Sequence, residues 1–365
     1  MSMSNVNESY YSDCTVLITG GSGSIGLDLA RALLKLNVRQ LRIFSNDENG
    51  LFEARQILGP NSNIEYLLGD VRDTGATERA TQGCEMVFHA AALKHVGLAH
   101  WNPFEAIHTN VIGTQNLITS AAKNKVSRFV FISTDKAVNP ATTMGATKLL
   151  GERLTTSASS ECETTIFCSV RFGNVLGSRG SVIRIWERQL NTGKPITITD
   201  PSMTRFIMLP TDCAALVLNA GQTARTGEIH VLKMHAVRIG ELAKACLDFF
   251  AKLNYLDSSR LQSEVIGAGP EEKSHEELMT LYEAGRVIEH ENFFVIPPIG
   301  ESVSPITLSS NHTSEYRSDQ VHLLSQGEIA SLLSRLDLQS HARTVVTGVL
   351  RDEAKQMGSP ASPIQ

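Results

Sequence analysis

The chain has 365 residues, of which 42% are hydrophobic and 19% charged, enough apolar content to bury a full core in one large or two modest domains. Its 33 basic and 38 acidic residues leave a formal charge of −5 with no long basic run, so neither a nucleic-acid partner nor an anionic membrane surface has compositional support. The six cysteines (Cys14, Cys84, Cys162, Cys168, Cys213, Cys246) are dispersed, with no Cys-x-x-Cys and no zinc-like pairing with histidine, which excludes a disulfide framework and a metal site from the expectations.

Residues 1–12 are polar, lack the pattern of a signal peptide and read as a flexible tail. No apolar run approaches the roughly 18 residues of a membrane span, so a cytoplasmic protein acting on small molecules is expected. Residues 14–19 (CTVLIT) form a continuous apolar run suited to a central parallel strand covered on both faces. Gly20-Gly21-Ser22-Gly23-Ser24-Ile25-Gly26 follows at once, and Ile25, Leu29, Leu33 and Leu36 then recur at helical spacing. Strand, glycine turn and helix in this order point to dinucleotide binding. Gly20, Gly23 and Gly26 allow the tight turn, bring backbone N–H groups to a pyrophosphate at the helix N-terminus, and permit close helix–strand packing.

Residues 40–45 (QLRIFS) make a second strand ending in Ser45-Asn46-Asp47, about 20 residues past the last glycine. There an acid would hold the ribose diol of NAD, or a cation the 2′-phosphate of NADP; Asp47 is equally suited to cap the next helix. Residues 64–68 form a third strand that runs into Gly69-Asp70-Val71-Arg72-Asp73, and residues 85–89 a fourth that runs into Ala90-Ala91-Ala92-Leu93-Lys94. Small residues at that strand end let a cofactor lie against the backbone, and His89 reads as a core histidine. Ile107, Val111, Ile118 and Ala121 mark one long helix over residues 104–124, with Asn110 inside it.

Residues 128–132 (RFVFI) are the fifth strand, and they deliver Ser133-Thr134-Asp135-Lys136 at the C-terminal end, where open α/β sheets bind ligands. Five strands alternating with helices predict an α/β fold with a doubly wound parallel sheet, a Rossmann domain over residues 13–176. A smaller substrate-binding lobe is expected mainly over residues 177–340, beginning after the glycine-rich loop that follows a strand at 164–171. Residues 229–232 (IHVL) are expected to return to the first sheet, and residues 341–365 to form a C-terminal helix and mobile tail.

Several of these segments, taken together, resemble one family. They are Gly20-x-x-Gly23-x-x-Gly26, Asp70-Val71, Ala-Ala-Ala-Leu-Lys, Ser-Thr-Asp-Lys-Ala-Val-Asn-Pro from Ser133, Met-Gly-Ala-Thr-Lys from Met144, Arg-Phe-Gly-Asn-Val-Leu-Gly-Ser-Arg-Gly-Ser from Arg171, and Met203-Thr204-Arg205-Phe206. The family is the UDP-N-acetylglucosamine 4,6-dehydratases, a polysaccharide-biosynthesis branch of the extended short-chain dehydrogenase/reductase superfamily, and the resemblance covers residues 14–277. It implies an internal redox cycle on UDP-GlcNAc or a related UDP-sugar: C4 oxidation, loss of water across C5 and C6, and hydride return at C6. It also implies a homo-oligomer and a bound NADP or NAD that is regenerated each turnover. NADP is favoured because Ser45-Asn46-Asp47-Glu48 resembles a Ser-Arg-Asp-Glu sequence, although Asn46 stands in the arginine's place.

By the same resemblance, the cofactor contacts are Gly20, Gly23, Ser24, Ile25, Gly26, Ser45, Asn46, Asp47, Asp70, Val71, Ala90, Ala91 and Lys148. Thr134, Asp135 and Lys136 carry the chemistry, with Asp135 as acid for the C6 hydroxyl and Lys136 as base at C5, a role that requires a depressed pKa. Met144 occupies the place of the superfamily's proton-handling tyrosine, four residues before Lys148 and on the same helix face. Methionine cannot titrate, so the C4 hydroxyl proton leaves through Thr134, Asp135 or a water held by Lys148. Lys94, Asn174, Arg179, Ser181 and Arg205 are the expected substrate-binding residues. Lys273, His275 and Glu276 match a Gly-Glu-Lys-x-x-Glu-like segment that here reads Glu271-Glu272-Lys273. Two rivals are a UDP-sugar 4-epimerase, which needs no dehydrating pair, and a non-catalytic NAD(P)-binding protein.

Overall fold

The computed structural model describes residues 6–253, 261–269, 271–299 and 314–336. The apolar run after Cys14 becomes β1 (Thr15–Thr19), buried at every residue because helices cover both faces of its sheet. In the first half of the chain α1 (Glu8–Tyr11) precedes β1, which is followed by α2 (Ser24–Lys35), β2 (Gln40–Ser45), α3 (Glu48–Leu58), β3 (Ile64–Leu68), α4 (Thr74–Thr81) and β4 (Met86–His89). Then come α5 (Val96–Trp101), α6 (Pro103–Ile107), a π turn (His108–Ile112), α7 (Gly113–Lys123), β5 (Arg128–Ile132), a 3₁₀ turn (Asp135–Ala137), α8 (Thr143–Glu161) and β6 (Ile166–Arg171).

β1 to β6 pair in parallel in the order β3-β2-β1-β4-β5-β6, the doubly wound arrangement expected from the alternation of strands and helices. The order reverses between β1 and β4, so a crevice opens at their C-terminal ends, where the glycine turn and the Ala90-Ala91 segment meet.

The second half of the chain is shared between this sheet and a smaller lobe. It contains β7 (Asn174–Val175), α9 (Val182–Asn191), β8 (Ile196–Ile198), β9 (Thr204–Met208), α10 (Pro210–Thr223), β10 (Ile229–Leu232), β11 (His235–Arg238) and α11 (Ile239–Leu253). After these come β12 (Ser263–Val265), β13 (Glu277–Met279), α12 (Leu281–Ala284), β14 (Ile288–Glu289), β15 (Phe293–Ile296), β16 (Tyr316–Arg317) and α13 (Gln326–Ser334). β10 lies parallel to β6, and β15 and β14 add antiparallel beyond it, completing a nine-stranded sheet. The smaller lobe has its own core, built from Trp186, Ile196, Ile207, Val237, Leu242 and Ile329 among others.

Three expectations need correction or fall outside the description. The start of the chain is not a free tail up to residue 12. Asn7 caps α1, Tyr11 is fully buried, and its hydroxyl donates to the Leu218 carbonyl. The single helix expected over residues 104–124 is three pieces, because the wider π turn rotates Asn110 inward instead of continuing the α-helical stripe. Asn110 then bonds the Leu93 N–H at 2.7 Å, the Leu93 carbonyl at 3.0 Å and Thr147 Oγ1 at 2.9 Å. The C-terminal helix and tail expected over residues 341–365 lie outside the described residues.

Arg171, at the end of β6, is wholly buried between two carboxylates. Its Nε and Nη2 meet Glu152 of α8 at 3.0 and 2.6 Å, and both Nη atoms meet Glu283 of α12 at 3.1 Å. Nη1 also donates to the Leu278 carbonyl at 2.9 Å, so the guanidinium fork is satisfied on all sides. Arg171→Met would leave two buried carboxylates without their cation and is expected to destabilise the fold by about 3–5 kcal/mol. The denaturation midpoint measures this; a loss below about 1 kcal/mol would show that the clamp is not structural.

Candidate active site

The glycine turn has the shape of a nucleotide cradle. Gly20 has φ +65°, and a Cβ there would stand 2.6 Å from the Ala91 nitrogen; one on Gly26 would stand 2.6 Å from the Gly20 carbonyl oxygen. Gly23 caps α2 without a side chain, leaving the first N–H groups of that helix for an anion. Ser24 opens the helix, and Ile25 packs against the core. Gly20 packs directly on Ala90-Ala91, and the open N-terminus of α2 beside them fits the pyrophosphate of a dinucleotide.

Further along the crevice, Ser45 Oγ accepts from Ser22 Oγ at 2.8 Å and from the Asp47 N–H at 3.2 Å. Asp47 caps α3 through the Gly50 N–H at 2.9 Å, so of its two readings the structural one is visible. Asn46 donates to Asp70 at 3.1 Å. Asp70 is also gripped by Arg72, whose hydrogen bonds hold its carboxyl down to about 2. Val71 is buried beneath α7, against Gly113. Asp73, not Asp70, caps α4.

His89 is a satisfied core histidine. Its ring nitrogens meet Thr19 Oγ1 at 2.7 Å and Thr114 Oγ1 at 2.8 Å. Burial, with the nearby Lys148 charge, pushes it down to about 3, so it stays neutral.

At the end of β5 the backbone continues along β6 through the Ser133 N–H to Val170 and the Asp135 N–H to Phe172. Asp135 is thereby fully buried. Its Oδ1 accepts from Thr134 Oγ1 at 2.7 Å and from Lys136 Nζ at 3.0 Å, while Oδ2 has no hydrogen-bond partner among the described residues. Thr142 caps α8, and a Cβ on Gly145 would overlap the Lys136 carbonyl oxygen, so the glycine after Met144 lets the helix start lie on this turn.

The two lysines have opposite fates. Lys136 was expected to have a depressed pKa. Burial does pull it down, but Asp135 and Glu276 outweigh that and leave it above the ordinary lysine value. Lys148 is the depressed one, pushed down to about 8 by burial and only partly restored by Glu152. Its Nζ donates to the Ile132 carbonyl at 2.7 Å and lies 4.7 Å from the centre of the Phe131 ring. Met144 is buried in a small apolar cluster with Ala99, Ala106 and Val96.

A cavity of about 660 Å³ opens beside this turn, lined by Lys136, Asn174, Arg205, Glu276, His100 and Trp101 among others. Asn174 Nδ2 donates to the Phe206 carbonyl at 3.1 Å, and Arg205 Nε lies 3.7 Å from Glu276. The other expected substrate residues are elsewhere. Arg179 lies over the glycine turn, its guanidinium donating to the Ser22 carbonyl and its N–H to Ser24 Oγ at 2.9 Å. Lys94 Nζ donates to the Arg179 carbonyl. These two cations therefore stand at the nucleotide cradle and not with Arg205. Ser181 caps α9, and its hydroxyl is buried without a partner.

Sequence reasoning gave no role to Glu276, and it missed Glu283 and Ser318. Glu276 meets Lys136 across 140 residues, while Glu283 and Ser318 stand behind the site, on Arg171 and on the Glu276 backbone, through contacts that no local spacing encodes.

Residues 16–298 match the family described as polysaccharide biosynthesis protein. An uncharacterized membrane protein of Methanocaldococcus jannaschii is 43% identical over 329 residues, covering 90% of this chain and 97% of its own length. No helix among the described residues here is long and apolar enough to cross a membrane. A UDP-glucose 4-epimerase of Rickettsia canadensis is 38% identical over 298 residues, 80% of this chain and 85% of its own. Among solved structures, Pen from Bacillus thuringiensis has a TM-score of 0.83 at 38% identity, over 89% of this chain and 98% of that one. The dTDP-glucose 4,6-dehydratase DesIV of Streptomyces venezuelae, solved with NAD bound, has a TM-score of 0.60 at 23% identity over 69% and 84%, a likeness of fold. With a doubly wound sheet and a family match over most of its length, the chain belongs to the polysaccharide biosynthesis protein family.

Proposed function

We propose that the chain is a nucleotide-sugar 4,6-dehydratase acting on UDP-GlcNAc or a close UDP-sugar, with bound NADP or NAD. The observation that carries this reading is the Thr134-Asp135-Lys136 turn, which places a buried carboxylate and a cavity-lining amine side by side at the end of β5. Exchange of configuration at C4 alone needs no groups for C5 and C6. The cofactor supplies a temporary acceptor for the C4 hydride, which returns at C6.

The residues of the chain divide the proton work. Thr134 Oγ1 takes the C4 hydroxyl proton as it passes its own to Asp135, along the 2.7 Å hydrogen bond already present. Asp135, now protonated, gives that proton to the departing C6 hydroxyl, and water leaves. Lys136 faces C5. Lys148 would hold the nicotinamide ribose, and its bond to the Ile132 carbonyl fixes it between α8 and β5. Arg205 and Asn174 bind the substrate from the cavity wall, while Arg179 and Lys94 act on the cofactor pyrophosphate side. Met144 keeps α8 packed on α5 and α6 and handles no proton.

The Rickettsia relatives named UDP-glucose 4-epimerase favour a second reading, isomerisation at C4. Incubation of the purified protein with UDP-GlcNAc separates the two. The dehydratase reading expects a product lighter by one water with a C6 methyl signal in the proton NMR spectrum. Unchanged mass with a C4 epimer would establish the isomerase, and an untouched substrate would remove both.

The role of Thr134 has its own test. Thr134→Ser is expected to retain turnover within about 10-fold, whereas Thr134→Val should lose on the order of 100-fold or more, with cofactor binding intact. Equal rates for the two variants would remove Thr134 from the proton path.

A further inference from the structure

Glu276 reaches the cavity just before β13, and its carboxylate is 5% exposed as part of a buried residue. Its Oε1 lies 3.4 Å from Lys136 Nζ and 3.7 Å from Arg205 Nε. The backbone behind it is pinned on both sides. The Glu276 N–H donates to Ser318 Oγ at 2.9 Å, its carbonyl accepts from the Ser318 N–H at 2.9 Å, and Ser318 Oγ meets Thr204 Oγ1, beside Arg205, at 2.8 Å. A few residues on, Arg171 holds Leu278 and Glu283. The Glu276 backbone is therefore fixed opposite Lys136.

Lys136 thus stands between two carboxylates, Asp135 at 3.0 Å on its own turn and Glu276 across the cavity edge. The other charges that act on Glu276 are Arg205 and Lys273, the latter tied to the Val138 carbonyl at 3.0 Å. Burial, reinforced by Asp135, pushes the Glu276 carboxyl up, towards the protonated form. An ammonium cannot accept the C5 proton; it must first lose one, and Asp135 is already committed to the C4 and C6 oxygens.

We propose that Glu276 is the group that holds the Lys136 proton while Lys136 acts as the base, an inference that rests on the dehydratase reading. The ammonium proton moves from Lys136 Nζ to Glu276 Oε1, leaving a neutral amine and a carboxylic acid. The amine takes the C5 proton, and the electron pair of the broken C5–H bond passes to the C4 carbonyl oxygen. As that pair returns, the C6–O bond breaks and the leaving oxygen takes the proton on Asp135. When Lys136 gives its proton back to C5, Glu276 returns the one it held, and the four charged side chains Asp135, Lys136, Arg205 and Glu276 end the turnover as they began it. Glu276 acts through Lys136 and is a positioning residue.

The test uses the full chain with its bound cofactor, and Glu276→Gln and Glu276→Asp variants whose fold and cofactor content match the wild type. Competitive labelling of Lys136 with acetic anhydride, read by mass spectrometry across a pH series, needs no turnover. Glu276→Gln removes an anion beside Lys136, so labelling should shift to lower pH. Solvent-deuterium exchange at C5 of UDP-GlcNAc is the second readout. The proposal expects exchange by the wild-type protein to stay level with pH below the Lys136 titration, because the proton moves internally, whereas exchange in Glu276→Gln should rise about tenfold per pH unit, because the proton must then leave to solvent, with Glu276→Asp keeping the level profile.

If Glu276 only stabilised the ammonium, wild type and Glu276→Gln would share the roughly tenfold-per-unit slope, merely displaced in pH. The same slope in both proteins, or unmoved labelling of Lys136, therefore overturns the assignment alone. A wild-type protein that leaves UDP-GlcNAc untouched overturns the dehydratase reading and this assignment with it.

Discussion

The site depends on one buried cation. Arg171 closes β6 and joins Glu152 of α8, the preceding helix, to Glu283 of α12, more than 100 residues further along the chain. Glu152 lies one turn beyond Lys148, and Glu283 lies seven residues beyond Glu276. The clamp therefore sets the distance between the helix that carries Lys148 and the segment that carries the carboxylate facing Lys136. A buried ion triad of this kind is weak evidence for net stability, because desolvation of three charges offsets much of their attraction. Its effect here is on geometry. Glu283 is further spent on the capping box of α12 with Thr280, so the triad also fixes where that helix begins.

The absence of a titratable side chain at position 144 becomes intelligible once the two lysines are compared. Lys148 sits in an almost wholly apolar setting with one carbonyl and one aromatic face, and desolvation dominates its titration. Lys136 sits between carboxylates, and Coulomb attraction dominates instead. Met144 belongs to the apolar packing of α5 and α6 on α8 and has no polar neighbour to replace. Thr134, Asp135, Lys136 and Glu276 form a continuous polar path, the last two at the cavity wall, and the proposed proton handling falls to them.

Much of the fold was legible because its signals are local. The buried strand, glycine turn and amphipathic helix at residues 15–35 announce a Rossmann start, and each of the next four strands ends in residues that belong at the crevice. The glycine positions also read correctly, since a Cβ at Gly20 or Gly26 would collide with backbone. What was illegible depends on distance. The π turn at Asn110 follows from hydrogen bonds to Leu93 and Thr147, which periodicity does not register. Lys136 looked like a lysine with a depressed pKa only while Glu276 was absent from its surroundings. The resemblance grouped Arg179 with Arg205 on the substrate, yet the loop after β7 folds it onto the glycine turn. Tyr11 was hidden in a polar segment, and one buried ring is enough to tie that segment to α10.

The account stands on a single chemical claim, that the turn after β5 removes water from a sugar oxidised at C4. UDP-GlcNAc carrying deuterium at C4 tests it most directly. The account predicts that the deuterium reappears in the C6 methyl group of a product that has lost one water, transferred within the same molecule. Deuterium retained at C4 in a product of unchanged mass would contradict it.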